Sequence, residues 1–566
     1  MTSAHEAQAH GDPGSGPTGA ATMAAGGVLL TLASGQFLMA LDSSVMNVSI
    51  ASVAEDVGTT VTGIQSAITF YALVMAAFMI TGGKIGTIVG RRRAFAIGCA
   101  IYGAGSLTTS LAPNLTVLLV GWSVLEGLGA ALIMPAIVGL VASNFALEDR
   151  PRSYGLVASA GAIAVAAGPL IGGLVTTYAS WRWVFAGEVV VVLAILAMAR
   201  RLEDERPAEP RPRLDLGGTA LSAAGLGLAV FGVLRSSEYG WIAPKPGTDP
   251  WLGLSPVVWL ILGGVAVLYL FTRWEQRVVR RGDEPLVRPG TLGNARLRTG
   301  VTMFYFQYFV MGGVFFVVPL YLSIVVGLSA AGTGVRLLPL SIALLLAATA
   351  VPKFGPHASP RRVVRAGLLA LLAGVVALVA ALEAGTGPEI TTGPLLLVGL
   401  GIGALASQLG SVTVSSVPEE ESGDVGGLQN TGSFLGTSVG TALVGSVLIT
   451  TLTASFLQGI EDDPAVPDDV SSQAAVELTG GVPFVSDDDL EASLRAAGVG
   501  DEAVPAIVDD NAEARIVALR ASLAVVALVA LAALFFTSGL PSVQASDEPE
   551  GGRRRAQASP SSPARS

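Results

Sequence analysis

Fourteen separate stretches of this chain are each long and apolar enough to cross a lipid bilayer, and that leaves very few folds open. They cover residues 26–50, 64–86, 94–112, 115–142, 153–178, 183–200, 214–235, 252–271, 300–326, 333–350, 363–382, 391–416, 426–453 and 516–536, each near the ~20 residues a helix needs to span the hydrocarbon core. In lipid no water is available to a peptide group, so a spanning segment must satisfy its own backbone, and runs of this length do so as α-helices. The chain is therefore expected to be all-α and polytopic, with fourteen transmembrane helices. Apolar residues make up 51% of the 566 positions and charged residues only 13%, about half the charge of an ordinary soluble domain.

An even number of crossings places both termini on one side, and the distribution of Lys and Arg says which. With a cytoplasmic N-terminus, 26 of the 33 basic residues fall in inner segments, including Lys84, Arg91–Arg93, Lys353, Arg361 and Arg362, and seven fall outside. Both termini are thus expected in the cytoplasm of a multi-pass protein of the inner membrane. The bias of arginine over lysine and the abundance of alanine and glycine point to a GC-rich bacterial genome. Residues 1–25, polar and without Lys or Arg, read as a disordered tail and not a signal peptide; 541–566 read as a second cytoplasmic tail. The net charge of −10 comes mainly from 454–514, where fifteen acids face the single Arg495; this reads as a solvated, partly disordered outer loop.

Several functions are excluded by what is missing. Cys99 is the only cysteine, and His5, His10 and His357 all lie outside the apolar spans, so the usual ligands of a membrane metal site are absent. No GxxxxGK[ST] loop and no nucleophile–base pair occurs. An enzyme, a metal, a cofactor and a nucleic-acid partner are not expected; the lipid bilayer is the partner such spans require.

The chain repeats itself. Lys84-Ile85-Gly86 followed by Arg91-Arg92-Arg93 after span two is echoed by Lys353-Phe354-Gly355 followed by Arg361 and Arg362 after span ten. Two homologous six-span halves result, with spans seven and eight between them, as in parallel-repeat transporters. The expected organisation is a bundle at 26–206, a two-helix insert at 207–285 and a second bundle at 286–540.

Ionisable residues inside such spans are costly and are functional candidates by default, the alternative being a hydrogen-bonded structural role. Asp42 lies about 24 Å along span one, in its outer part, and Glu126 about 16 Å from the outer end of span four. Glu126 is the most deeply placed carboxylate, and burial disfavours the charged form of a carboxyl, as a proton carrier requires. Asn47 follows Asp42 in span one. Tyr305, Gln307 and Tyr308 punctuate span nine; Gln408, Gln429 and Asn430 are further polar residues within spans.

Span five carries Gly155, Ala158, Ala160, Ala164, Gly168-Pro169 and Gly172-Gly173. Small residues let another helix approach closely, and a Gly-Pro pair at membrane depth interrupts the helical ladder. This spacing resembles the fifth-helix antiporter motif of the major facilitator superfamily, with Ala164 in place of a glycine. The loop Gly83-Lys84-Ile85-Gly86-Thr87-Ile88-Val89-Gly90-Arg91-Arg92-Arg93 resembles the superfamily's inner-loop signature, with Thr87 where an acid is usual. Leu41-Asp42-Ser43-Ser44-Val45-Met46-Asn47-Val48 looks like the first-helix motif of its fourteen-span drug:proton antiporter branch, whose 6+2+6 layout the chain shares from 26 to 536.

That resemblance implies a proton-coupled exporter of lipophilic, including cationic, drugs or dyes, acting as a monomer. Proton coupling is expected at Asp42 of the first-helix motif and at Glu126, the most deeply placed carboxylate. Substrate contact would fall on Asn47, Tyr305, Gln307, Tyr308 and Gln408. Conformational sealing would rest on Gly155, Ala164, Gly168, Pro169, Gly172, Gly173, Gly83, Gly90, Arg91 and Arg92, with these cations latching onto the other half. In place of the family's arginine and glutamine, span four has Ser123 and Glu126, which moves a titratable group to the midplane. The sixth helix lies at the periphery of that fold, so Glu188 is expected to pair with Arg182. A dedicated exporter of one natural product, or a membrane sensor or scaffold, are the readings left open.

Overall fold

In a computed structural model the chain is described over residues 19–543, apart from 146–149, 204–212, 246–247, 289, 291–292, 355–357, 384–386, 415, 417–421, 468–469, 472–473, 475–477, 479–481 and 501. Most of the two tails, part of the arginine-rich segment after span six and Gly355 of the second inner loop lie outside the described residues.

Fourteen long helices follow one another: α1 (Gly19–Val48), α2 (Val61–Val89), α3 (Arg91–Ser110), α4 (115–144), α5 (Arg150–Tyr178), α6 (Arg182–Ala199) and α7 (Leu216–Leu234), then α8 (Pro256–Arg280), α9 (Ala295–Leu320), α10 (Ala330–Phe354), α11 (Pro360–Ala381), α12 (Thr392–Val414), α13 (Ser422–Asp462) and α14 (Val504–Phe536). Among the described residues thirteen are long and apolar enough to span a membrane; α3, which opens on Arg91–Arg93, is the other. The turns between them use residues suited to the task. Gly90, at φ +99°, joins α2 to α3, a backbone that side-chain-bearing residues avoid. Asn114 accepts from Val117 N–H at the start of α4, and Asn294 accepts from Arg296 and Leu297 N–H at the start of α9, satisfying free donors at the helix ends.

Helices α1–α6 pack among themselves, as do α9–α14; α7 and α8 pair with each other, and α7 lies against α2 and α13. The two bundles meet along α5–α10 and α2–α13. Val190, Leu193, Leu262, Val265 and Leu528 stay exposed, apolar side chains on the outside of the bundle as a lipid-facing surface requires.

The seam between α5 and α10 is tight near the C-terminal end of α5. A side chain at Gly334 would strike the Pro169 carbonyl, and one at Gly173 the Ala330 carbonyl; Ala331 N–H donates to Thr177 Oγ1 at 2.9 Å. On α2–α13, Gln65 Nε2 donates to the carbonyls of Thr441 and Ala442 at 3.1 and 3.2 Å.

Where the acidic segment is described, it is held against the bundle. Helix α13 runs on to Asp462, α14 begins at Val504, and a short helix covers Asp487–Ala496. Val466, Val482 and Phe484 are buried in the core, and the buried Arg515 donates to Val485 O at 2.7 Å and pairs with Asp487. Apolar residues scattered among the acids anchor this segment to the bundle, which charge counting alone overlooks.

Candidate functional site

Three helices of the first bundle each bring one carboxyl group to the same point. Asp42 of α1, Glu126 of α4 and Glu188 of α6 are all buried, and an oxygen from each lies within 4.8 Å of the others. The expected Arg182–Glu188 pair does not form. Arg182 instead pairs with Asp56 and donates to Ala112 O at 2.7 Å, because α6 turns Glu188 inward, six residues on from the interface. Nor does Asp42 sit apart from Glu126; the two share one level of the bundle.

The local sequence explains how α4 delivers its acid. Between Leu119 and Glu126 the helix widens to π-helical spacing, a form that recurs at functional sites. Glycines let α3 close on it: a Cβ at Gly105 would stand 2.6 Å from Glu126 Cγ, and one at Gly129 2.7 Å from Tyr102 N. Ser123 Oγ donates to Ala67 O at 2.8 Å and ties α4 to α2.

Each acid has a specific donor. Trp122 Nε1 donates to both Asp42 oxygens, at 2.9 and 3.0 Å. Thr109 Oγ1 donates to Glu126 Oε1 at 3.0 Å, and Ser106 Oγ to Glu188 Oε2 at 3.1 Å. Glu126 Oε2 and Glu188 Oε1 are buried without a hydrogen-bond partner. No ion pair among the described residues reaches any of the three. Two carboxylates this close repel by about 3–4 kcal/mol even at an effective dielectric constant near 20, a repulsion that bound protons or a cation would relieve. Three carboxyl oxygens are a hard donor set of the kind such cations use, so the expectation of no metal, argued from missing His and Cys, does not extend to this cluster.

Beside the cluster, between the two bundles, lies a cavity of about 160 Å³. Its lining is largely apolar: Met39, Met75, Met134 and Met311, with the rings of Tyr71, Trp122, Tyr308, Phe315 and Phe434. Polar groups come from Gln36, Asn47 and Thr437, among others, and no acid or base contributes. Of the substrate-contact candidates, Asn47 and Tyr308 line it. Tyr305, Gln307 and Gln408 do not. Gln307 Nε2 points to Ile402 O at 3.4 Å, toward α12, Tyr305 meets Phe306 edge-on and Phe309 at a tilt, and Gln408 is buried beside Ser407. Reading polarity within a span did not tell which face of α9 meets the other bundle.

The motif glycines divide in the same way. A side chain at Gly168 would clash with Ser44, and a Cβ at Gly172 would lie 2.9 Å from Val45 Cα, so both seat α5 on α1; Gly173 and Pro169 face α10. Ala164 is fully buried. Gly155 has nothing within 4 Å. Helix α5 runs unbroken through Pro169, so the Gly-Pro pair does not interrupt it. In the inner loop the close approach to α4 is at Gly82, which faces the Ala131 carbonyl, more than at Gly83. Arg91 lies across Gly139 of α4 and Arg92 donates to Leu202 O at 3.2 Å. These described contacts stay within their own bundle; Lys84 reaches Glu284, at the end of the insert, at 3.7 Å.

The family model of the Major Facilitator Superfamily matches residues 32–441. The chain belongs to this superfamily. It is a transporter and not an enzyme. It is 31% identical to the puromycin resistance protein pur8 of Streptomyces alboniger over 450 residues, covering 77% of this chain and 84% of that protein. It is 29% identical to the probable actinorhodin transporter of Streptomyces coelicolor, covering 86% of this chain and 82% of that one. Among solved structures it resembles a bacterial homologue of the human lysosomal transporter Spinster, in an inward-facing and unoccupied conformation. The TM-score is 0.57 at 14% identity, over 93% of this chain and 98% of that one. At that identity the likeness is one of fold.

Sequence reasoning did not single out Glu188 as a member of the cluster, nor Trp122, Tyr102, Ser106 and Thr109. A signal for two of them was present: Ser106 and Thr109 stand three apart in α3, the spacing that puts hydroxyls on one helix face.

Proposed function

We propose that this transporter is a proton-coupled exporter of lipophilic small molecules, working as a monomer by alternating access in a bacterial cytoplasmic membrane, with bundles at 26–206 and 286–540. The observation that carries the reading is a buried cluster of three carboxyl groups adjoining, but not lining, a largely apolar cavity between the bundles. Rocking of the bundles around the cavity would expose it to either side in turn, and protons taken up by the cluster on one side and lost on the other would drive the cycle. Four methionines and five aromatic rings suit ligands of varied shape, because the thioether is flexible and polarisable and repacks readily. With no acid in the lining, neutral lipophilic compounds fit as well as cationic ones. Relatives named for puromycin resistance and actinorhodin transport support an exporter of drug-like or natural products.

The test is expression in an efflux-deficient bacterial host, with growth measured against puromycin, ethidium and an aromatic polyketide antibiotic. Resistance to several of these supports a multidrug exporter, and resistance to one a dedicated exporter. If the protein reaches the membrane and protects against none, the reading is wrong. Ethidium efflux in everted vesicles should stop when nigericin collapses the pH gradient.

A topological expectation accompanies it. In a Cys99→Ala background, Ser493→Cys should label with an impermeant reagent from outside intact cells, and Asp283→Cys only after permeabilisation. Both positions are exposed, and the expected sides follow from the basic asymmetry. The reverse pattern would invert the assignment.

A further inference from the structure

The cavity and the acid cluster do not share a lining, but one side chain belongs to both. None of Asp42, Glu126 and Glu188 lines the cavity, whereas Trp122 does. Its indole N–H is committed to the two oxygens of Asp42. Its ring lies flat on Tyr71, another cavity residue, with centroids 4.9 Å apart and planes 7° from parallel. Trp122 therefore belongs to the lining of the substrate volume while its one polar atom serves an acid.

We propose that Trp122 is the positioning residue that links ligand in the cavity to the protonation of Asp42. The indole can donate and cannot accept, and a donor shared between two carboxylate oxygens is a charge-assisted bond that favours the ionised acid. A ligand packed on the Trp122–Tyr71 face holds the ring in its seat and keeps Asp42 a carboxylate. When the ring swings away, Asp42 loses that donor and takes a proton from solvent instead. By linkage, a proton on Asp42 must then weaken the ligand by the same factor that the ligand weakens the proton. Trp122 and Glu126 also share the π-helical turn Leu119–Glu126, so movement of the ring is transmitted to the second acid along one short element.

The titratable groups facing Asp42 come from four neighbouring helices: Tyr71 of α2, Tyr102 of α3, Glu126 of α4 and Glu188 of α6. No basic side chain among the described residues pairs with it. The inference rests on the proton-coupled reading above and adds the route, in which ligand and proton occupy different groups and communicate through one ring.

The test uses the full chain in detergent and Trp122→Phe, which keeps an aromatic face on Tyr71 and removes the donor. Wild-type affinity for ethidium should fall about tenfold per pH unit as the acid takes up its proton, the slope for one displaced proton. In Trp122→Phe the affinity should change by about twofold or less over the same range, because the two sites are no longer linked, and proton release on ethidium addition should disappear. A wild-type pH slope in Trp122→Phe overturns the proposal. A second measurement needs no ligand. With 5-fluorotryptophan incorporated, the ¹⁹F resonance that is lost in Trp122→Phe or Trp122→Tyr should shift with pH in the wild type and stay fixed in Asp42→Asn. A resonance that ignores pH, or titrates equally in Asp42→Asn, also overturns it. If the wild type binds no ethidium while that resonance titrates, the substrate class proposed above fails and the Trp122 link stands.

Discussion

Glu126→Gln is expected to reduce efflux driven by a pH gradient to the level of vesicles lacking the protein, while ethidium binding and exchange survive. The substitution is nearly isosteric, and the structure shows why it should be tolerated. Gln Oε1 can accept from Thr109 as Glu126 Oε1 does at 3.0 Å, and the amide N–H₂ would occupy the place of Glu126 Oε2, which has no partner to lose. What the variant cannot do is ionise. It removes one of three carboxyl groups that crowd within 4.8 Å and leaves a permanent mimic of the protonated acid. The measurement is proton release on adding ethidium to the protein in weakly buffered detergent. Release should fall in Glu126→Gln, in Asp42→Asn and in Glu188→Gln, since carboxyls this close titrate as a set and not one by one. If Glu126→Gln releases protons like the wild type and Asp42→Asn releases none, the carrier is Asp42 and Glu126 only shapes its environment.

The parts of this protein that were legible in its sequence are those set by backbone physics. Segments with no water to bond to must be helical, so each of the fourteen apolar stretches is a helix in the structure, α3 included despite its three arginines. Boundaries were less legible where helices continue beyond the apolar core, as α13 does to Asp462 and α14 does back to Val504. The acids were legible one at a time, because each interrupts an apolar run. Their meeting was not, since it depends on the rotation of α1, α4 and α6 about their own axes. Glu188 shows this best. Spacing along one helix put Arg182 within its reach, yet the turn of α6 gave Arg182 to Asp56 and Glu188 to the cluster. The same ambiguity separated Tyr308, which lines the cavity, from Tyr305 and Gln307, which do not. The π-helical turn that carries Trp122 and Glu126 has no signature in residue spacing at all.

Gly168→Leu should abolish transport, whereas Gly155→Leu, in the same run of small residues, should leave it intact. The two glycines meet different surroundings. A side chain at Gly168 drives into Ser44 of α1, and the neighbouring turn is equally tight, with a Cβ at Gly172 standing 2.9 Å from Val45 Cα. Leucine at 168 therefore forces α1 and α5 apart, at a cost of about 1–3 kcal/mol or more for an overpacked helix interface. The displacement falls on Ser44, which lines the cavity, two residues beyond Asp42. A bundle of fourteen helices can absorb that strain and still insert, so membrane yield should stay near wild type while ethidium efflux is lost. Gly155 is exposed with nothing within 4 Å of an added Cβ, and leucine there only adds apolar surface. The comparison is efflux per unit of protein in everted vesicles, with yield read by immunoblot. Wild-type efflux from Gly168→Leu would mean that close approach of α1 and α5 is not needed for the cycle. Equal failure of Gly155→Leu would mean that the small-residue run acts as a whole, through contacts made in another conformation.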